Sequence, residues 1–173
     1  MPKLKITRRH LPHWQLEGSI YFVTFDCVEN VMTLEETAIV LEQIKMGDDR
    51  FYDLFAVVVM PDHVHLLLRP VLGYDLTRVM KGIKGVCAHE INLHRGTKGT
   101  IWKSESYDRI VRSGREFDEE LNYMYNNPIK KGITDIQGSI LGGTSTKRNA
   151  VLGHSIGILF GTFRNECSTG SGR

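Results

Sequence analysis

The chain has 173 residues, 41% of them hydrophobic and 24% charged, with a formal net charge of +2, the make-up of one globular domain with enough apolar residues for a core. No apolar run approaches the roughly 18 residues of a membrane-crossing helix. The basic start Met1-Pro2-Lys3-Leu4-Lys5 lacks the apolar core of a secretion signal, so a cytoplasmic protein with no membrane contact is expected.

In chain order, residues 1–18 are polar and basic without clear periodicity and are expected to form an arm. Ser19 to Phe25 is rich in β-branched and aromatic residues and predicts a strand. Leu34 to about Met46 carries Ala38, Leu41 and Ile44–Lys45 at helical spacing, with Thr33 as N-cap and Glu36 completing a capping box. Leu54 to Val59 and His63 to Arg69 predict two strands joined tightly through Pro61-Asp62, hence a hairpin. Asp75 to about His94 predicts a second helix with Leu76, Met80, Ile83 and Cys87 on one stripe. Gly82 and Gly85 weaken it by about 1 kcal/mol each. Tyr107 to Val111 is a fourth strand, and a third helix runs from Gly114 to about Asn126.

This β-α-β-β-α-β-α order predicts an α+β fold: a ferredoxin-like split β-α-β antiparallel sheet with an added C-terminal helix that bears Tyr123, over residues 19–132. Two helices would back one face of the sheet, leaving the other for function or a partner subunit. Residues 133–173 are rich in Gly, Ser and Thr and predict a loosely ordered tail with one apolar patch, Ile156 to Phe163. Cys27, Cys87 and Cys167 are isolated and lack CxxC spacing, which argues against a disulfide framework or a cysteine zinc site.

The chemistry starts at His63-Val64-His65. Strand side chains alternate, so both imidazoles point to one face with Val64 opposite. Such a pair can grip one metal ion; the plainer reading is two hydrogen-bonded histidines near a strand end. On the third helix, Phe117, Leu121, Met124 and Tyr125 form the buried stripe. Tyr123 falls off it, on the side of Glu116, Glu120 and Asn127, and Asn127 follows one turn later. Pro128 disfavours helical geometry at Asn127 and predicts a distorted last turn.

Two histidines on a strand with a tyrosine and an amide on a helix suit phosphoryl transfer. A divalent ion there would polarise a scissile phosphate. The tyrosine hydroxyl would attack phosphorus, giving a covalent phosphotyrosine and a free hydroxyl on the other DNA end. The phosphodiester energy is kept, so strands can be rejoined. The Asn127 amide offers a neutral oxygen as third ligand.

Charge is unevenly spread. Residues 29–53 hold two basic and seven acidic side chains, whereas residues 69–115 hold ten basic and four acidic, which suggests a polyanion partner for one face. Lys81 and Lys84 share a helix face, Arg109 and Arg112 lie in the same basic region, and Trp102 is placed to stack a base or to pack in the core. These five are the candidate DNA contacts.

The stretch Val57-Val58-Val59-Met60-Pro61-Asp62-His63-Val64-His65 resembles the His-hydrophobic-His metal motif of the single-tyrosine HUH transposases. Within them it is most similar to the insertion-sequence-like branch that includes the REP-associated tyrosine transposases. The resemblance continues through Tyr21 to Phe25, Met80 to Gly85, Trp102 to Asp108 and Tyr123 to Pro128, and covers roughly residues 8–133. It implies metal ligands at His63 and His65, a nucleophile at Tyr123 and a third, helix-borne ligand at Asn127. It also implies Mg²⁺ or Mn²⁺, a single-stranded DNA substrate often recognised through a hairpin, and a homodimer. Asp62 stands where the family commonly has asparagine, and the tail after about Asp135 lacks the family's Trp-Ser-Ser type continuation.

The leading reading is thus a DNA endonuclease and strand transferase. A non-catalytic hairpin-binding regulator on the same fold and a metal-dependent hydrolase that uses water are the alternatives, and Tyr107 is the rival nucleophile.

Overall fold

The computed structural model describes residues 4–8, 12–28, 32–130, 148–152 and 156–160, with side chains at 16–28, 32–128 and 130. The chain forms β1 (Leu4–Arg8), β2 (Pro12–Leu16), β3 (Ile20–Asp26), α1 (Leu34–Met46), β4 (Tyr52–Val59), β5 (His63–Pro70), α2 (Leu76–Arg95), β6 (Tyr107–Val111), α3 (Gly114–Lys130), β7 (Arg148–Leu152) and β8 (Ile156–Phe160). The expected ferredoxin-like core is present. Its strands lie in the order β6-β3-β5-β4, all antiparallel, so β5 splits the β3-α1-β4 unit.

Two expectations at the ends change. The basic arm contains a two-stranded antiparallel sheet, β1 against β2. The Gly/Ser/Thr-rich tail contributes β8, which pairs with β4, and β7, which pairs with β8, so the sheet has six strands. Ile156–Phe160 of the apolar patch meets the otherwise open edge of β4, where unpaired backbone groups favour an added strand. The rest of 133–173 and of the arm lies outside the described residues.

Both sheet faces are covered, which explains why the strands read as nearly continuous apolar runs. Tyr21, Val23, Phe25, Val57, Val59, Val64, Leu66 and Leu68 face the α1 and α2 layer, with Val40, Ile44, Val79, Met80, Ile83, Cys87 and Ile91. Ile20, Phe22, Ala56, Val58, Leu67 and Val111 face the other way, against Phe117 and Met124 of α3. The face expected to be left for function therefore carries the third helix. A register shift between Leu54 and Ala56 puts Phe55 and Ala56 on the α3 side together. Phe55 meets Phe117 edge-on at 5.5 Å, so the bulge helps seat α3.

Helix α1 starts at the expected capping box, Glu36 N donating to Thr33 Oγ1 and Thr33 N to Glu36 Oε2. Glu36 is nonetheless buried, because Arg95 at the end of α2 donates to both its carboxylate oxygens, at 2.5 and 2.9 Å. This pair sets the rotation of α1, which buries Thr37, Val40, Leu41 and Ile44 and leaves Ala38 exposed, unlike the expected stripe. Cys27 and Cys87 are free and buried. Burial pushes their thiols up to about 11 and about 12, so both stay protonated and unreactive at neutral pH. Among the described residues no helix is long and apolar enough to cross a membrane.

The Arg95 hydrogen bonds hold the Glu36 carboxyl below its ordinary value. A depressed carboxylate contributes stability at neutral pH that is lost as pH falls through the folded-state value. Glu36→Ala should cost about 3 kcal/mol in urea unfolding at pH 7. Its deficit against the parent chain should shrink as the buffer is taken below pH 4.

Candidate active site

Strand pairing puts the two histidines together with one cross-strand partner. His65 lies opposite Thr24 and His63 opposite Asp26. The turn before them is held by three main-chain bonds: Met60 N–H to His63 O at 2.8 Å, Cys27 N–H to Asp62 O at 2.9 Å and Met32 N–H to Pro61 O at 2.7 Å. His63 and His65 are only 7% and 3% exposed. Their Nε2 atoms lie 3.1 Å apart. Each Nδ1 has its own oxygen partner, Asp62 Oδ1 at 2.6 Å for His63 and Thr24 Oγ1 at 2.7 Å for His65. A carboxylate oxygen only accepts, so this contact calls for a proton on His63 Nδ1, which in the neutral ring makes Nε2 the acceptor.

Helix α3 supplies the rest. Glu116 N–H donates to Ser113 Oγ at 3.2 Å, as the capping-box spacing predicts, and Glu116 Oε2 accepts from Arg112 N–H at 2.8 Å. The helix does not end near Asn126. It runs through Pro128 to Lys130, with Pro128 itself buried, so Asn127 is a helical residue. Its amide nitrogen lies 2.5 Å from His65 Nε2 and 3.4 Å from His63 Nε2. Tyr123, one turn earlier, is 47% exposed. Its ring meets His65 at 5.4 Å and Phe22 at 5.9 Å, both edge-on. Phe22 in turn stacks on His65 at 5.5 Å and 25°.

The face of α3 that reads as solvated therefore looks partly at the sheet. Glu120 is buried and ion-paired to Arg109 of β6, and Asn127 reaches the histidines. The reason lies in the opposing strands, which offer a polar row of Arg109, Thr24, His65 and His63 on that side. Thr24 and Phe22 escaped notice in the sequence because their part depends on the register of β3 against β5. The Asp62 partnership was open to inspection, as it adjoins His63.

The donor set fits a divalent cation. Two nitrogens bound at right angles to one ion at about 2.1 Å are about 3 Å apart, the separation of these two Nε2 atoms. Turning the Asn127 amide by half a revolution would aim Oδ1 at the same point. Among the described residues no group of three His, Cys, Asp or Glu could hold a metal ion, and the polar side chain that reaches both Nε2 atoms is the Asn127 amide.

The candidate DNA contacts do not share one surface. Lys81, Lys84 and Trp102 line a groove of about 540 Å³ between α2 and residues 99–108, on the sheet face opposite the histidines. Trp102 is 4% exposed and edge-on to Phe25 at 4.9 Å, so it packs in the core and is not open for base stacking. The Lys84 ammonium donates to the Lys103 and Ser104 carbonyls at 2.6 and 3.2 Å. Burial lowers its pKa, and its role is to tie that loop to α2. Arg109 is engaged by Glu120. Lys81 and Arg112 are exposed. Tyr107, the rival nucleophile, is exposed and pairs with Thr24 from the side away from His65, so its backbone lies about 10 Å from that of His65 at ordinary strand spacing.

Phe22→Leu keeps most of the apolar volume but removes the ring that touches both His65 and Tyr123. We expect a stability loss below about 1.5 kcal/mol. The aromatic proton resonances of His65 and Tyr123 should shift together while those of Phe55 and Phe117 stay in place.

Residues 30–124 match the family model described as IS200-like transposase, a span that includes His63, His65 and Tyr123. The REP-associated tyrosine transposase of Escherichia coli K12 is 28% identical over 90 residues, covering 51% of this chain and 52% of that protein. A Haemophilus influenzae protein given the same name provisionally is 22% identical over 95 residues, covering 49% and 54%. The match thus spans about half the length of each relative. A solved structure of a REP-associated tyrosine transposase bound to a REP hairpin superposes with a TM-score of 0.61 at 23% identity, over 73% of this chain and 76% of that one, which extends the agreement in fold beyond the family match. With more than half of its residues matched by the family model, this chain belongs to the IS200-like transposase family.

Proposed function

We propose that this protein is a single-strand DNA endonuclease and strand transferase in which Tyr123 is the nucleophile. The observation that carries the reading is the convergence at one end of the sheet. Tyr123 stands beside His65 and Phe22, and Asn127, one helical turn on, reaches both Nε2 atoms. In the reaction, Tyr123 Oη bonds to phosphorus and the bond from phosphorus to one deoxyribose oxygen breaks. The tyrosine proton leaves, and a proton is taken up by the departing oxygen, which becomes the free hydroxyl of the second DNA end. One phosphodiester replaces another, so the step reverses readily and the ends can be rejoined.

His63, His65 and Asn127 would hold the divalent ion, Mg²⁺ or Mn²⁺. When bound it supplies Lewis acidity at the scissile phosphate. The chain's own contribution is positional. Asp62 and Thr24 fix the imidazole rings, Phe22 fixes the Tyr123 ring against His65, and the exposed side of Tyr123 leaves room for a DNA strand. Hairpin-bearing single-stranded DNA is the substrate class that the hairpin-bound structural relative supports. Cytoplasmic location and a homodimer complete the proposal, the latter open to a test by sedimentation.

The test is a denaturing gel of the protein with labelled hairpin oligonucleotides taken from DNA flanking its gene, in Mn²⁺ or in EDTA. A protein-linked band should form only with metal. Tyr123→Phe keeps the ring contacts and, at an exposed position, should leave stability within about 0.5 kcal/mol, yet should lose the band altogether. Free cleavage that survives Tyr123→Phe would overturn the nucleophile and favour hydrolysis by water. Hairpin binding with no cleavage of any substrate would favour the regulator.

A further inference from the structure

The two histidines differ in what holds their second nitrogen. Thr24 Oγ1 is a neutral partner for His65 Nδ1 at 2.7 Å, and a hydroxyl can donate or accept. Asp62 Oδ1, at 2.6 Å from His63 Nδ1, is anionic and can only accept. It therefore dictates the Nδ1–H tautomer and directs the Nε2 lone pair toward its counterpart on His65, 3.1 Å away. A carboxylate behind an imidazole also makes the far nitrogen a stronger donor, and its own charge lies close enough to favour a cation.

The placement of Asp62 is built in. Its side chain is 55% exposed, but its carbonyl accepts from Cys27 N–H, and the carbonyl of Pro61 before it accepts from Met32 N–H. An exposed aspartate on an anchored turn, with its carboxylate turned onto a buried histidine, contributes little to the core. Asparagine is nearly the same shape but can accept from Nδ1 or donate to it, so it would not impose one tautomer.

We propose that Asp62 is a positioning residue that acts through His63 and sets how tightly this chain holds a divalent cation. This rests on the metal reading above. The test is calorimetric titration of the DNA-free full chain with Mn²⁺, for the parent protein, Asp62→Asn and His63→Ala. Asp62→Asn should weaken Mn²⁺ binding by about tenfold or more while leaving the metal-free thermal midpoint unchanged, and His63→Ala should remove the binding. Nitrogen NMR shifts of the parent protein should report His63 as the Nδ1–H form, and those of Asp62→Asn a mixture of tautomers. Mn²⁺ affinity in Asp62→Asn within twofold of the parent, or an Nε2–H form of His63 in the parent, would overturn the inference with the metal reading intact. If the parent itself bound no Mn²⁺, the metal reading would fail and the inference with it.

Discussion

Two nearly buried ring nitrogens held 3.1 Å apart form the constraint around which the rest of this protein is arranged. If both rings carry their proton on Nδ1, as the Asp62 carboxylate favours for His63, two lone pairs face each other where water has little access to separate them. Such an arrangement is costly unless a hydrogen-bond donor or a cation sits between them. In the polypeptide alone, the Asn127 amide takes that place. The pairing of β3 with β5 prevents the rings from drifting, because a slip of one residue would send both histidines to the α1 and α2 face. Thr24 then falls opposite His65, where its hydroxyl is useful, and Phe22, two residues earlier, lies on the same face.

Helix α3 meets this demand by presenting two kinds of contact to one sheet. Phe117 and Met124 pack on Phe55, Val58 and Leu67 as any amphipathic helix would. Glu120 and Asn127 meet charged and polar groups further along. The helix has to stay wound past Asn126 for Asn127 to project one turn beyond Tyr123. It does so although Pro128 has no N–H for the Met124 carbonyl, and Pro128 buries its ring instead. The Arg109 ion pair and the bulge at Phe55 act in the same direction, fixing the helix at its middle and near its start.

Much of this was legible in the residues. The strand and helix boundaries of the core lie close to where periodicity and caps put them, and the β-α-β-β-α-β order admitted few other sheets. His63 and His65 share a face by strand parity alone, and Tyr123 and Asn127 share one by helical spacing. Parity and spacing say nothing of which faces meet. That Tyr123 would stand over His65 depended on α3 crossing the histidine face, which its spacing alone does not fix. Thr24 and Phe22 were hidden for the same reason, being ordinary strand residues until a register is known. The two tail strands were hidden in a stretch whose glycine and serine content predicted loose chain. The Ile156–Phe160 segment, itself rich in strand-favouring residues, pairs with the edge of β4, a partner that composition does not reveal.

The same limit applies to charge. The excess of basic residues between 69 and 115 looked like an electrostatic footprint for a polyanion, but the fold engages several of those cations itself. Arg95 serves Glu36, Arg109 serves Glu120, Lys84 serves two carbonyls, and Lys103 lies 3.3 Å from Asp26. A cation paired within the protein must break that pair before it can neutralise a phosphate, and only net neutralisation displaces counterions from DNA. Lys81 and Arg112 are exposed, and on the proposed function they are among the described cations open to a phosphate. On the proposed function, the distinguishing contacts would come from the end of the sheet where Tyr123, Phe22 and the histidine pair meet, because those groups are placed by strand register and helix packing and not by charge.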